Sequence, residues 1–189
     1  GNATPPGLVA AVSNAGGLGV IGGSGMSPEE ISTRIREVRA LTDKPFGVDL
    51  LLPARLADSE DTRAGIREQL QRDYPKHVAF VRSLMHEFGL PDEYTEKKRP
   101  VTRKNIRGQV EVVLDENVPV FAAALGDPSW VVPLAREKGI TVFGMAGSVR
   151  HARRQVDAGV DIVVAQGYEA GGHTGKVANF PLIPQVVDA

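Results

Sequence analysis

The 189-residue chain contains no cysteine. Disulfide bonds, thiolate metal sites and cysteine nucleophiles are therefore excluded, and no metal site of another kind is predicted. An excess of one charge is also lacking, because 22 Lys and Arg residues stand against 23 Asp and Glu residues. Since the chain has neither a basic patch nor an acidic tail, nothing in it predicts binding to nucleic acid.

Long apolar runs are absent as well. No stretch is long enough to cross a bilayer as a helix, so we expect no membrane contact and a cytoplasmic location. Glycine (21 residues) and proline (13 residues) are instead somewhat frequent, as expected when many short loops join many elements. A chain of 189 residues is long enough for one domain with a sizeable core.

Apolar, β-branched runs alternate with segments of helical periodicity along most of the chain. The runs predict five strands, near residues 18, 46, 119, 140 and 161. Alternation with short connections is typical of a parallel sheet covered by helices. A closed (β/α)8 barrel, or TIM barrel, needs eight strands, and because the pattern starts and stops in mid-alternation, the chain looks like an incomplete part of such a fold. An open doubly wound sheet is the alternative, although no G-x-G-x-x-G motif follows the first strand.

The regular alternation breaks between residues 53 and 106. This stretch is long, charged and partly helical, and residues 73–88 place Val78, Val81, Met85 and Phe88 on one helical face. We interpret 53–106 as an insertion into a single domain of residues 1–189. A lid over one end of the domain and a plain surface excursion are equally compatible with the pattern.

A glycine-rich segment at residues 165–175 carries the candidate chemistry. It follows Asp161-Ile162-Val163-Val164, which reads as a buried strand. Gly171, Gly172 and Gly175 lack the side chains that would keep the backbone away from a flat or phosphorylated ligand. His173 lies among them, and histidine is the residue type that can take a proton near neutral pH. Gly-Gly alone is usually only a turn, but the preceding strand and the upstream pattern favour a site here.

Four segments in order resemble the nitronate monooxygenase family, formerly called the 2-nitropropane dioxygenases. They are Ala10-Ala11-Val12-Ser13-Asn14-Ala15-Gly16-Gly17-Leu18-Gly19, Lys44-Pro45-Phe46-Gly47-Val48-Asp49, Gly144-Met145-Ala146-Gly147-Ser148-Val149, and Val164 through Gly175. The similarity covers nearly the whole chain outside 53–106. It implies a TIM barrel that holds FMN at the carboxyl ends of its strands.

The resemblance also implies roles for individual residues near the flavin. Gly1 and Asn2 match the end of the family's first strand, near the flavin ring. Asp49 matches a position at which the family usually has an asparagine that contacts the flavin. This is a departure, because a carboxylate cannot donate the hydrogen bond that an amide donates.

In the glycine-rich segment the match to the family is closer. Gln166, Gly171 and Gly172 match flavin-contacting positions, and His173 matches the proposed catalytic base. The two later glycine-rich phosphate loops of the family have no counterpart here, so the chain alone is not expected to complete the FMN phosphate site. Removal of a proton next to a nitro group requires a base that works near neutral pH, and His173 suits that task best among the four histidines.

The resemblance implies oxidation of alkyl nitronates, or of nitroalkanes after deprotonation, by FMN and O2 to a carbonyl compound and nitrite. An NAD(P)H-dependent flavin reductase or enoyl-thioester reductase is the alternative enzyme, because relatives with a similar Ala-Gly-Gly-His segment exist. A ligand-binding barrel without turnover is the non-enzymatic alternative. The substrate is a small molecule in each enzymatic case. A homodimer is compatible with the sequence, which leaves the oligomeric state open.

Overall fold

A computed structural model of the chain describes residues 3–53, 63–91 and 102–189. Within these residues five strands alternate with α-helices. The strands are β1 (Gly19–Gly22), β2 (Phe46–Leu51), β3 (Val120–Ala124), β4 (Thr141–Ala146) and β5 (Ile162–Ala165). The helices are α1 (Pro6–Asn14), α2 (Pro28–Arg39), α3 (Arg63–Asp73), α4 (Pro75–Glu87), α5 (Arg103–Asp115), α6 (Val132–Glu137), α7 (Val149–Asp157) and α8 (Asn179–Val187), with a short 3₁₀ helix at Tyr168–Ala170.

The five strands form one sheet in which every neighbouring pair is parallel. Their order in the sheet is their order in the chain, β1-β2-β3-β4-β5. A doubly wound sheet reverses its strand order at a switch point, and no reversal occurs among the described strands. The prediction of a TIM barrel covered in part is therefore confirmed, with five of its strands present.

The apolar core lies between the outer face of the sheet and the helices. Ser27 and Glu30 form a capping box, in which the Ser27 hydroxyl accepts a hydrogen bond from the Glu30 backbone N–H at 3.1 Å. It starts α2, whose buried face packs beside α5 against the middle strands. The buried side chains of this layer include Ile31, Ile35, Val38, Val110, Val113, Val48, Leu50 and Phe121.

Buried polar side chains join the loops to this core. Ser13 donates to the backbone carbonyl of Pro45 at 2.9 Å and accepts from the Gly19 N–H at 3.1 Å. Gln109 of α5 donates to the Met26 carbonyl at 2.7 Å. These bonds satisfy groups that would otherwise be buried without partners, and they fix the loops around β1.

The helices between β2 and β3 divide into two groups. Helices α3 and α4 pack against each other, and α4 buries none of its residues. In contrast, α5 packs on α2 and β2 and buries Ile106. Because α5 begins at Arg103, the last residues of the predicted 53–106 insertion belong to a barrel helix. The lid role of the remainder stays a prediction.

Strand β5 differs from its prediction in burial. The strand itself is present, but Ile162 is 46% exposed and its other residues are half-buried. The reason is that β5 is an edge strand of the described sheet, with a neighbour on the β4 side alone. Of the helices that the structure describes, none combines the length and apolar character that crossing a bilayer would require.

Candidate active site

All five strands end at one edge of the sheet, as parallel strands must. The loops that follow β3, β4 and β5 meet there and enclose an open cavity of about 980 Å³. Gln166 and His173 both line this cavity, together with residues of the loops after β2, β3 and β4 and with His151, Arg154 and Asp157 of α7. Its position at the carboxyl ends of the strands is where barrel enzymes place their sites.

The segment after β5 folds back on itself and is closed by the start of α8. The Gly167 N–H donates to the Asn179 side-chain oxygen at 2.6 Å, and the Asn179 N–H donates to the Glu169 carboxylate at 3.0 Å. The Tyr168 N–H donates to the Val177 carbonyl at 3.0 Å. We call this set of bonds the loop bracket. It holds the two ends of the segment that contains His173 at a fixed separation.

A close backbone contact fixes the same segment from the β4 side. A Cβ atom added to Gly175 would lie 2.1 Å from the Gly147 carbonyl oxygen, and one added to Gly147 would lie 2.7 Å from the Gly175 nitrogen. No side chain fits at either position. The two glycines therefore let the loop after β5 rest directly on the loop after β4.

Between the bracket and this contact, the backbone turns through left-handed conformations. Gly171 has φ 73° and Gly172 has φ 66°, and a Cβ on either would meet no atom within 4 Å. The requirement for glycine here is conformational, because L-residues are strained at these angles. The result is a stretch of bare, accessible backbone next to His173, whose side chain is exposed.

Asp49 lies away from this cavity, on β2. Its neighbours in register are Gly22 on β1 and Ala122 on β3, so only small side chains flank it. Burial, which disfavours the charged form, raises the pKa of the Asp49 carboxyl to about 6. Residues 46, 48 and 50 of the same strand belong to the helix-facing core, and strand alternation places Asp49 on the opposite, inner face.

The structure thus brings together some of the predicted site residues and separates others. Gln166, Gly171, Gly172 and His173 share one loop, and Gln166 and His173 of this loop line the cavity. Asp49 lies on the inner face three strand spacings from β5, roughly 14 Å along the sheet. Gly1 and Asn2 lie outside the described residues, so their predicted place near the flavin ring stays a prediction.

Several residues that line the cavity did not stand out in the sequence. Leu125 and Gln155 are among them. The sequence gives one indication for Leu125. It precedes Gly126-Asp127-Pro128, residues that favour a turn directly after a strand, where site loops lie. Gln155 looked like an ordinary helix residue, and only the fold shows that its amide reaches a loop at the cavity.

The residues present suit a flat, polar cofactor. The inner face around Asp49 carries small side chains, and the loop after β5 offers unobstructed backbone at Gly171 and Gly172. Backbone N–H groups and an amide such as Gln166 are the kinds of group that hold a flavin ring system in proteins. Among the described residues, no group of three or more His, Asp or Glu could hold a metal ion.

Fold and site together define a barrel protein with a ligand site at the carboxyl ends of its strands. Comparison with known proteins makes this specific, because the family model "Nitronate monooxygenase" matches residues 1–189. The chain belongs to the nitronate monooxygenase family.

Three proteins are similar to this chain over nearly its whole length. The chain is 39% identical over 193 residues to "Putative monooxygenase Rv1533" of Mycobacterium tuberculosis, an alignment that covers 96% of this chain and 51% of that protein. It is 31% identical to a substituted octahydro-indene-carboxyl-CoA dehydrogenase of the same organism, covering 96% of this chain and 38% of that protein. The crystal structure of nitroalkane oxidase from Streptomyces ansochromogenes superposes with a TM-score of 0.76 at 26% identity, covering 100% of this chain and 53% of that one. The chain therefore spans about half the length of the relatives it matches.

Proposed function

We propose that this protein binds FMN and oxidises alkyl nitronates, and nitroalkanes after their deprotonation, with O2 to a carbonyl compound and nitrite. The observation that carries the proposal is the joint placement of Gln166 and His173 on one cavity at the carboxyl end of a parallel sheet. Family membership and the likeness to nitroalkane oxidase support it.

The cofactor would be held by backbone and small polar groups. Gly171 and Gly172 leave the backbone open to close approach, and Gln166 offers both a donor and an acceptor. Asp49 would lie beside the ring on the inner face of the sheet, with Gly1 and Asn2 as the remaining contacts. When bound, the flavin supplies the two-electron chemistry that side chains cannot perform.

His173 would act as the general base for substrates that still carry the α proton. Its imidazole must be unprotonated to accept that proton, and the cavity must hold the carbon within hydrogen-bond reach. Because the side chain is exposed at the cavity, a substrate can approach it without any rearrangement of the core. A nitronate has already lost the proton, so the same residue would only position it.

Over part of the pH range, Asp49 would contact the flavin in its protonated form, as a neutral carboxylic acid. With the pKa raised to about 6, the protonated form is well populated in mildly acidic solution. A neutral carboxyl group can donate a hydrogen bond, as the asparagine expected at this position would. Asp49→Asn should therefore keep or improve FMN binding at neutral pH.

Two measurements on the purified full-length protein test the proposal. The visible spectrum of the protein as isolated, and again after addition of FMN, should show bound flavin bands. Aerobic incubation with propyl-2-nitronate should release nitrite and acetone in equal amounts. Absence of flavin bands in both samples would contradict the proposal and favour a binding barrel without turnover.

A second candidate function is favoured by one relative. The dehydrogenase of Mycobacterium tuberculosis acts, by its name, on a CoA thioester. An enzyme of that kind, or an NAD(P)H-dependent flavin or enoyl-thioester reductase, would bind the same cofactor but exchange electrons with a different substrate. Bound flavin without nitrite release from any nitronate would favour this candidate.

A further inference from the structure

The loop between β3 and α6 has a backbone conformation that is rare for its residue type. Leu125 has φ 48°, in the left-handed region. Leucine is seldom found there, because its Cβ approaches the following carbonyl oxygen. Such conformations persist only where the surrounding structure enforces them, and they cluster at functional sites.

The first restraint on Leu125 comes from the end of β2. The Leu52 N–H donates to the Ala124 carbonyl at 2.9 Å, and the Asp127 N–H donates to the Leu52 carbonyl at 3.3 Å. Gly126 lies so close to this strand end that an added Cβ would be 1.4 Å from the Leu52 oxygen. Leu52 itself is 4% exposed, so the contact is anchored in the core.

The second restraint comes from helix α7. The Gln155 amide nitrogen donates to the Gly126 carbonyl at 3.2 Å. Gln155 is 5% exposed, and its side chain fills the space beside Gly144, where a Cβ would be 2.4 Å from the amide oxygen. That oxygen is buried and has no hydrogen-bond partner. The hydrogen bond from the Gln155 side-chain amide to the Gly126 carbonyl therefore fixes the backbone next to Leu125.

The strained backbone conformation of Leu125 does not place its side chain in the apolar core. Its side chain is 47% exposed, so the fold gains little from burying it. The side chain instead lines the cavity, where Pro53, Met145 and Ala146 add further apolar surface. Gln166 and His173 line the same cavity, as do the charged residues Asp127, Arg154 and Asp157.

We infer that Leu125 determines substrate specificity by forming an apolar subsite for the alkyl group of the substrate. The two restraints fix the backbone on both sides of Leu125, whose side chain lines the cavity, so that an aliphatic chain packs against the isobutyl group while the reacting carbon lies toward His173. The preferred substrates then carry an alkyl chain at this end. The inference rests on the proposed function, because it concerns the substrate of the same site.

A chain-length series tests the inference through binding. Calorimetry under anaerobic conditions gives the dissociation constants of nitroethane, 1-nitrobutane and 1-nitrohexane, on flavin-loaded protein that carries His173→Asn as a common background so that proton removal, and with it flavin reduction, is slow. Affinity should rise with chain length in the protein that retains Leu125. Leu125→Gly removes both the strain and the side chain, so its melting temperature should be equal or higher, while 1-nitrohexane should bind roughly tenfold more weakly. Nitroethane should change much less.

Three further variants make the result specific. Leu125→Asn keeps a residue that tolerates positive φ but replaces the apolar surface, and it should lose the same chain-length dependence. Asn117→Gly relaxes the other described non-glycine residue with positive φ, also 48°, in the turn before β3. Leu134→Ala removes a leucine of α6 that is 42% exposed and does not line the cavity. Both controls should keep the native dependence.

The outcomes separate this inference from the proposed function. An equal chain-length dependence in the protein that retains Leu125 and in Leu125→Gly would overturn the inference, as would no dependence in the protein that retains Leu125. A fall in the melting temperature of both Leu125 variants with unchanged affinities would also overturn it, since the residue would then be structural. Nitrite release from propyl-2-nitronate, measured in parallel, reports on the proposed function whatever the affinities show.

Discussion

At the residue scale, His173 is the side chain whose role can be tested most sharply. General base catalysis typically contributes 10²–10⁴-fold to a rate. His173→Asn should therefore slow oxidation of neutral nitroalkanes by about that factor, and it should affect nitronates much less. Steady-state kinetics on both forms of one substrate measure the two effects in the same preparation.

The pH profile gives a second reading of the same residue. Activity on the neutral nitroalkane requires an unprotonated base, so the pH dependence that His173 gives this activity should be absent in His173→Asn. Activity on the nitronate should lack this dependence on His173. Equal losses on both forms in the variant would indicate a structural or binding role, and unchanged activity would remove His173 from the mechanism.

Asp49 makes a separate prediction about stability. Its pKa in the folded protein is about 6, above the value of about 3.9 expected in an unfolded chain. The folded state therefore binds more protons between about pH 4 and 6, and this carboxylate lowers stability as pH rises through that window. Asp49→Asn should raise the free energy of unfolding of the flavin-free protein by up to about 3 kcal/mol above pH 7, and by little at pH 4.

Denaturant unfolding at several pH values measures this difference. Asp188→Asn is the matched control, because Asp188 is an exposed carboxylate at the end of α8. That variant should follow the native pH profile. An Asp49→Asn protein that is no more stable than the native protein at pH 8 would show that the carboxylate is not held in an unfavourable environment.

At the scale of elements, the loop bracket should control the segment that contains His173. Asn179→Ala removes the acceptor of the Gly167 N–H, a buried donor. An unsatisfied buried donor costs about 1–3 kcal/mol. Because the bracket lies at one end of the barrel, we expect faster amide exchange in residues 167–177 and weaker FMN binding, with a small change in melting temperature.

Hydrogen exchange followed by mass spectrometry localises this effect. Ser83→Ala is a suitable control, since the Ser83 hydroxyl donates to a carbonyl on exposed helix α4. It should leave residues 167–177 and FMN affinity unchanged. Native exchange rates in this segment of the Asn179→Ala protein would contradict a positioning role for the bracket.

Helices α3 and α4 should be dispensable for the fold. They pack on each other, α4 buries no residue, and Phe80 and Phe88 are 62% and 69% exposed. Deletion of residues 63–90 leaves the flanking segments as a connection and removes no described core side chain. We expect cooperative unfolding to be retained, with altered substrate selectivity if the insertion acts as a lid. Unfolding is monitored by circular dichroism. Loss of the cooperative transition would show that helices α3 and α4 belong to the barrel core.

At the scale of the whole molecule, regular features followed from the sequence and irregular ones did not. Strand positions and the parallel sheet were predictable, because hydrophobic periodicity, helix-capping residues and glycines that end helices act on neighbouring residues in the sequence. The exposure of Ile162 was not, since it depends on which strand lies beside β5. The strain at Leu125 was not either, because it is imposed by Leu52 and Gln155, which are distant in sequence.

The site could be predicted only in part, because some of its residues are distant from one another in sequence. His173 and Gln166 share a short segment, so their common place at the cavity followed from one loop. The separate position of Asp49 depends on how many strands lie between β2 and β5, which the alternation indicated correctly. The walls contributed by the loops after β3 and β4 needed the fold, because no local pattern brings Leu125 and Met145 together.

The central claim is that nitronates give their electrons to a flavin held by this protein. Anaerobic mixing of the purified, FMN-loaded protein with propyl-2-nitronate and, separately, with NADPH tests it most directly, with the flavin absorbance bands as the signal. We predict rapid loss of the bands with the nitronate and little change with NADPH. Reduction by NADPH together with unchanged bands in the nitronate would contradict the claim and identify a reductase instead.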